Sequence, residues 1–286
     1  MSEMRNDASL KGKVRHFAKE HGLKPQEVLQ MYLFEHLLMR LAKSPYADRF
    51  VLKGGLLISS MTGIYQRTTM DMDATVVGMD MDEATVVEAL REICGTEVDD
   101  GMAFVFDRIE PIREEDEYAN WRAHLRARYG RIDAPVKVDI TTNDAIYPSQ
   151  VRHEFELMFD QGTLDVLSYH PATVLAEKLE TVLSRGEANT RGRDFYDLYA
   201  IPRYYSGVIG KQDLREALRH TAEKRDSQQA VASWKEIIGG IRGSSVMRQV
   251  WDSYVADTPY ANDVAFDDTL DSIEKLMVSA SASPAC

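Results

Sequence analysis

The run Lys53-Gly54-Gly55, followed after eleven residues by Arg67-Thr68-Thr69-Met70-Asp71-Met72-Asp73, constrains this chain more than any other stretch. It predicts a short buried strand, Phe50 to Leu52, entering a glycine turn, then a short helix, then a strand on which two carboxylates alternate. Extended side chains alternate between faces, so Asp71 and Asp73 point the same way, about 6.6 Å apart along the strand. Met72, Ala74 and Val76 fall on the opposite face, where a core would bury them. Two ionised carboxylates side by side repel, and a divalent cation between them removes the repulsion and creates a hard, oxygen-rich site. Mg2+ is therefore the expected metal ion.

A third carboxylate is available in Pro135-Val136-Lys137-Val138-Asp139-Ile140-Thr141. Val136, Val138 and Ile140 form one face of this predicted strand and Lys137, Asp139 and Thr141 the other. Should the strands pair, Asp139 would join Asp71 and Asp73 in a two-metal site, as a ligand or as acceptor of the attacking hydroxyl's proton. An isolated Asp-x-Asp or Gly-Gly marks many ordinary strand edges and turns; it is the order and spacing of all three segments that point to phosphoryl transfer. Backbone amides at the start of the helix after Gly54 and Gly55 would hold phosphate. Lys53 either adds charge there or ends the strand in solvent. Leu56 and Leu57 follow the turn, and the first hydroxyls come only at Ser59 and Ser60.

Farther along, Pro171 suits a first helical position, and Leu175, Leu179, Val182 and Leu183 form one helical stripe. Lys178 lies about 60° from the centre of that stripe. It reads either as a snorkelling surface lysine or as an ammonium delivered to a cleft to offset triphosphate charge. Asp194 opens a second helix and stands four residues before Leu198, so it is expected to face inward, able to hold Lys178 or Arg193. A first-turn Asp also simply suits the helix dipole.

Four ordered segments together resemble the AbiEii/AbiGii nucleotidyltransferase toxins: Phe50 to Asp73, the Lys137-Val138-Asp139 strand, Leu175-Ala176-Glu177-Lys178-Leu179, and Arg193-Asp194-Phe195-Tyr196-Asp197-Leu198. The resemblance covers roughly residues 10 to 200. It implies an α/β (α+β) fold: a polymerase beta-like nucleotidyltransferase core with a mixed sheet, N-terminal helices and a mostly helical C-terminal half. It also implies transfer of a nucleoside monophosphate from a nucleoside triphosphate to an RNA acceptor, such as the 3′ end of tRNA, with release of pyrophosphate, and a cognate antitoxin. Carried over residue by residue, Asp71 and Asp73 match the metal-binding pair, Lys178 the essential lysine, Asp194 the acid of the last motif and Asp139 a third acid. The nucleotide-binding set expected is Lys53, Gly54, Gly55, Arg67 and Lys178. Two other readings use the same fold: a non-catalytic protein that grips RNA or a partner, and nucleotidylation of a protein hydroxyl.

Composition bounds the partners. With 286 residues and 44% of them apolar, the chain can build one large domain or two closely packed ones; the expected division is residues 1–165 for the core and 166–286 for a helical domain completing the site. A net charge of −12 argues against general adhesion to nucleic acid, so RNA contact must be local. The candidate patches are Arg122, Arg126, Arg128 and Arg131 around Trp121 and Tyr129, and Arg185, Arg191 and Arg193. Only Cys94 and Cys286 are present, and no apolar run approaches the roughly 20 residues that cross a bilayer, which together favour a reducing cytoplasm. Helices are expected at 11–20, 25–43 and 82–94, strands at 102–109, 122–129 and 135–141, and helices from Tyr169 onward with loops at 184–190 and 239–244. His36 is expected to pack in the core, 186–192 to form a mobile loop, and the tail 279–286 to be disordered.

Overall fold

The structure, a computed structural model, describes residues 7–112, 120–205 and 209–281. It divides into two compact units, Met1–Asp144 with Val151–Ser168, and Ala145–Gln150 with Tyr169–Cys286.

The first unit is built on a seven-stranded mixed sheet. Its helices are α1 (Asp7–His21), α2 (Pro25–Lys43), α3 (Gly54–Thr62) and α4 (Glu83–Gly95). Its strands are β1 (Phe50–Lys53), β2 (Met72–Val76), β3 (Ala103–Pro111), β4 (Trp121–Tyr129), β5 (Ile132–Thr142), β6 (Val151–Glu156) and β7 (Thr163–Ser168), in spatial order β3-β4-β5-β2-β1-β7-β6. The β2–β5 and β1–β7 pairs are parallel and the others antiparallel. Alternation fixes which face each central strand buries: Met72, Ala74 and Val76 of β2 and Val136, Val138 and Ile140 of β5 are all in the core. Helix α4 starts where its sequence supplies a cap, since the Asp82 carboxylate accepts from the Thr85 amide at 3.0 Å and its hydroxyl at 2.6 Å. Val86, Ala89, Leu90 and Ile93 then form its buried stripe.

The expected strands and helices around the glycine turn are all present. The hairpin β6–β7, for which no expectation was made, completes one side of the sheet. His36 is buried, as expected, and shares Asp100 with Arg40: the ring nitrogen Nδ1 lies 2.6 Å from the carboxylate, and the guanidinium donates to it at 2.8 and 2.9 Å. Burial alone would raise the Asp100 pKa, but hydrogen bonds from His36 and Arg40 outweigh it and hold the carboxyl far below its usual range.

The second unit is helical: α5 (Pro171–Arg185), α6 (Gly192–Tyr205), α7 (Lys211–Lys224), α8 (Gln228–Ala232), α9 (Trp234–Gly243), α10 (Ser245–Asp257) and α11 (Phe266–Ser281). Helix α5 packs on α6 and α7, and α11 covers α6, α7 and α9. Two expectations are corrected here. Gly239 and Gly240 lie inside α9 rather than in a loop, because Ile238 and Ile241 on either side are buried. A methyl at Gly240 would come within 3.1 Å of the Glu187 carboxylate, so the glycine allows this close approach. The tail is ordered through Ser281: Ala280 is buried and its carbonyl accepts from Arg215 at 3.0 Å, while 282–286 lie outside the described residues. No helix among the described residues is long and apolar enough to cross a membrane.

Candidate active site

In the first unit, strand register brings charged side chains from four neighbouring strands into one row. Lys53 on β1 pairs with Asp73 on β2, Asp73 with Asp139 on β5, and Asp139 with Arg122 on β4. Directly opposed residues in adjacent strands have neighbouring side chains, so two carboxylates stand side by side with a cation at each end. Arg122 grips Asp139 with a two-pronged fork, Nε to Oδ1 at 2.8 Å and Nη2 to Oδ2 at 2.7 Å. That fork, together with the attraction of Asp139 and Asp71, holds the Arg122 guanidinium well above its ordinary pKa. Asp71 itself is exposed, one residue before β2.

The glycine bend lies against this row. Gly54 has φ +63°, a left-handed conformation that costs a residue with a Cβ, and a Cβ there would fall on the Asp73 carboxylate. A Cβ on Gly55 would meet the Thr69 hydroxyl at 2.7 Å and the Arg67 guanidinium at 3.4 Å. The two glycines thus allow the backbone to approach Asp73, Thr69 and Arg67 closely. Arg67 is buried and donates to the Thr68 carbonyl. Lys53, at the head of α3, makes no capping bond to it with its side chain. Lys53 is not a solvated strand end. Its ammonium is largely buried, 2.6 Å from Asp144, which also accepts from the Thr141 hydroxyl at 2.8 Å.

Two serines offered by the sequence lie away from the bend. Five residues into α3, Ser59 is buried and Ser60 bonds His153 at 2.7 Å, roughly 7 Å along the helix from Gly54. The arginine stripe is also engaged. Arg126 pairs with Asp133 at 2.8 Å, Arg128 lies 3.8 Å from the same carboxylate, and Arg131 bonds Asp7 at 3.2 Å. Tyr129 is buried and the Trp121 indole donates to the Met81 carbonyl, and in this structure each of these arginines already has a carboxylate beside it.

The donor set suits a hard cation in part. Asp71 and Asp73 offer carboxylate oxygens of the kind Mg2+ takes. Asp139 stands next to Asp73, but both its oxygens accept from Arg122. Among the described residues, no group of three or more His, Cys, Asp or Glu is arranged to hold a metal ion.

In the helical unit, Lys178 on α5 reaches two acids on α6: its ammonium lies 2.6 Å from Asp194 Oδ1 and 2.9 Å from Asp197 Oδ2. The lysine side chain is 18% exposed, Asp194 2% and Asp197 0%. One cation therefore faces two buried carboxylates, and Asp194 Oδ2 is buried without a hydrogen-bond partner. Pro171 opens α5, as expected, and the His170 ring accepts from the Ala172 amide at 3.1 Å. Asp197 and Asp144 had no assigned role in the sequence. Asp197 could have been found as the neighbour of Asp194 three residues on, on the same helix face, whereas Asp144 meets a lysine 91 residues away and gives no local signal.

The family profile described as nucleotidyl transferase AbiEii toxin, type IV toxin–antitoxin system, matches residues 36–272. The chain belongs to this AbiEii family. Its match spans both units, and family membership carries with it the nucleotidyltransferase fold class and a type IV toxin–antitoxin setting. No curated protein matches the chain significantly. Among solved structures, a candidate nucleotidyltransferase from Helicobacter pylori is 16% identical with a TM-score of 0.47, covering 89% of this chain and 94% of its own. JHP933 from Helicobacter pylori is 15% identical with a TM-score of 0.48, covering 89% and 91%. An antigenic nucleotidyltransferase-like protein from Paracoccidioides brasiliensis is 16% identical with a TM-score of 0.39, covering 70% and 91%.

Proposed function

We propose that this AbiEii-family chain is a metal-dependent nucleotidyltransferase that moves a nucleoside monophosphate from a nucleoside triphosphate onto an RNA acceptor, such as the 3′ end of tRNA, releasing pyrophosphate and acting as the toxin beside a cognate antitoxin. The observation that carries the reading is the row Lys53, Asp73, Asp139 and Arg122 in direct register beside a bend with Gly54 in the left-handed region. A structural strand edge has no need to set two carboxylates side by side.

In this reading Mg2+, held by Asp71 and Asp73, would offset charge on the triphosphate and lower the pKa of the acceptor hydroxyl. The α3 amides at Gly54 and Gly55 hold phosphate oxygens, supported by the helix dipole and by Lys53 and Arg67. Arg122 is the movable part: a triphosphate competes with Asp139 for its planar fork, and an Asp139 released by it becomes the third acid or the acceptor of the attacking hydroxyl's proton. Lys178, held by Asp194 in the helical unit, is proposed to be a residue that transfer requires. Arg191 and Arg193, exposed beside Tyr254 around an open cavity of about 510 Å3, are the proposed RNA contact. Little covalent work falls to the protein, so positioning and electrostatics carry the rate.

The test is transfer of each labelled nucleoside triphosphate to total cellular RNA in the presence of Mg2+. Asp71→Ala and Asp73→Ala should each cut labelling by more than about a hundredfold, with unchanged circular dichroism. Variants that label as well as wild type would show the site to be misassigned. Label appearing on a co-purified protein instead of RNA would move the acceptor to a protein hydroxyl.

A further inference from the structure

A second cavity of about 280 Å3 opens in the first unit, between α1, α2, the far end of α3 and the β6–β7 turn. It shares no residue with the charged row. Its wall is aromatic: Phe17, Tyr65 and Phe155 line it, with His21 stacked on Tyr65 at 5.4 Å between ring centres. Its lining includes two carboxylates. Glu35 lines it from α2 and is 1% exposed, with Oε2 accepting from the Met158 amide at 2.7 Å while Oε1 is buried without a partner. Ser59, also 1% exposed, lines it from α3 with its hydroxyl oxygen buried and unpartnered. Glu156 adds a second carboxylate, and among the described residues no lysine or arginine lines the space.

Two buried polar atoms left unsatisfied beside one cavity are costly unless something bonds them. A phosphate or carboxylate ligand would meet the carboxylates of Glu35 and Glu156 there, whereas an ammonium would find a carboxylate, a hydroxyl and the faces of aromatic rings. The volume exceeds the roughly 150 Å3 that accommodates benzene, so a single ring with a short side chain fits. We propose that this cavity is a binding site for a small arylalkyl ammonium, its NH3+ on Glu35 Oε1 and Ser59 Oγ and its ring against Phe17, Tyr65 and Phe155. The site is separate from the proposed catalytic chemistry and stands or falls without it.

Protonation gives the site a pH signature. Burial, with Asp160 nearby, pushes the Glu35 carboxyl up to about 7 against the Met158 amide, which favours the charged form. Among the described residues, other titratable or charged groups around it are His21 in the lining, Glu156 on β6, His153, whose ring lies 2.7 Å from the Ser60 hydroxyl, and Lys13, whose ammonium lies 5.9 Å from the Phe159 ring centre. An ammonium favours the ionised carboxylate, so affinity rises as pH increases through about 7, and binding below that value releases a proton. A protonated His21 would repel the ligand and act in the same direction.

The experiment is calorimetric titration of the full chain at pH 8 with phenethylamine, its neutral counterpart 2-phenylethanol and its anionic counterpart phenylacetate. The expected result is binding of the amine at least tenfold tighter than the alcohol, no binding of phenylacetate, and weaker amine binding at pH 6. Glu35→Gln should remove the preference for amine over alcohol. Should that variant fail to fold, Ser59→Ala decides: a severalfold loss of amine affinity supports the site and an unchanged affinity overturns it. Equal binding of amine and alcohol, preference for phenylacetate, or no binding by any of the three would equally overturn the proposal.

Discussion

The two sets of charged residues that drew attention to this chain differ in where their charge is balanced. In the sheet unit, Asp73 and Asp139 stand between Lys53 and Arg122, and the outer guanidinium is 38% exposed. In the helical unit, Lys178 faces Asp194 and Asp197, both almost wholly buried. The first is solvated at its Arg122 end, where the guanidinium can exchange partners at small cost because water compensates it when released. The second is a closed cluster of buried carboxylates, where losing the lysine that bridges them removes a cation from beside acids that water barely reaches. The same residue types thus give an exchangeable guanidinium in one place and a fixed lysine in the other.

Lys178→Ala tests the closed half of that contrast and should have the largest effect on stability, a loss of roughly 3–5 kcal/mol in urea denaturation. Asp197→Asn added to it should recover part of the loss. A single substitution costing less than about 1 kcal/mol would show the cluster to be hydrated, and the comparison would fail. Any loss of toxicity in Lys178→Ala must therefore be judged at matched amounts of folded protein.

Gly54→Ala should come next, because it sharpens what the open row requires. The left-handed backbone costs about 1–2 kcal/mol with a Cβ, and the added methyl meets the Asp73 carboxylate. The expected outcome is a modest loss of stability with a disproportionate fall in nucleotide transfer. Equal stability and transfer to wild type would mean the bend does not govern Asp73. Arg122→Gln should be the mildest for stability, within about 1 kcal/mol and less at high salt, since its pair with Asp139 is partly solvated. Its effect should appear instead in the apparent affinity for triphosphate, and a stability loss as large as that of Lys178→Ala would erase the distinction between the two regions.

Much of the sheet was legible because period-two alternation and glycine punctuation are local signals. β1, β2 and β5 follow from them, and so do the faces buried by Met72, Ala74, Val138 and Ile140. The inward turn of Asp194 likewise followed from its spacing to Leu198. Less legible were features whose partners are distant in the chain. The arginines of β4 read as a basic patch, yet register sets Arg122 against Asp139, and Arg126 and Arg128 near Asp133. Gly239 and Gly240 read as a loop because their composition suggests one, but buried neighbours keep α9 helical through them.

The sequence by itself determined that two carboxylates would alternate on a strand after a glycine turn and that a lysine and an acid would open onto helices farther on, because side-chain direction in strands and helices repeats over a few residues. Only the tertiary structure decided the neighbours of those groups. It set Arg122 on Asp139, Asp144 on Lys53 and Asp197 on Lys178, and it walled a cavity around Glu35 and Ser59. Ion pairing and burial depend on distances in space between segments remote along the chain, and local periodicity carries no information about them.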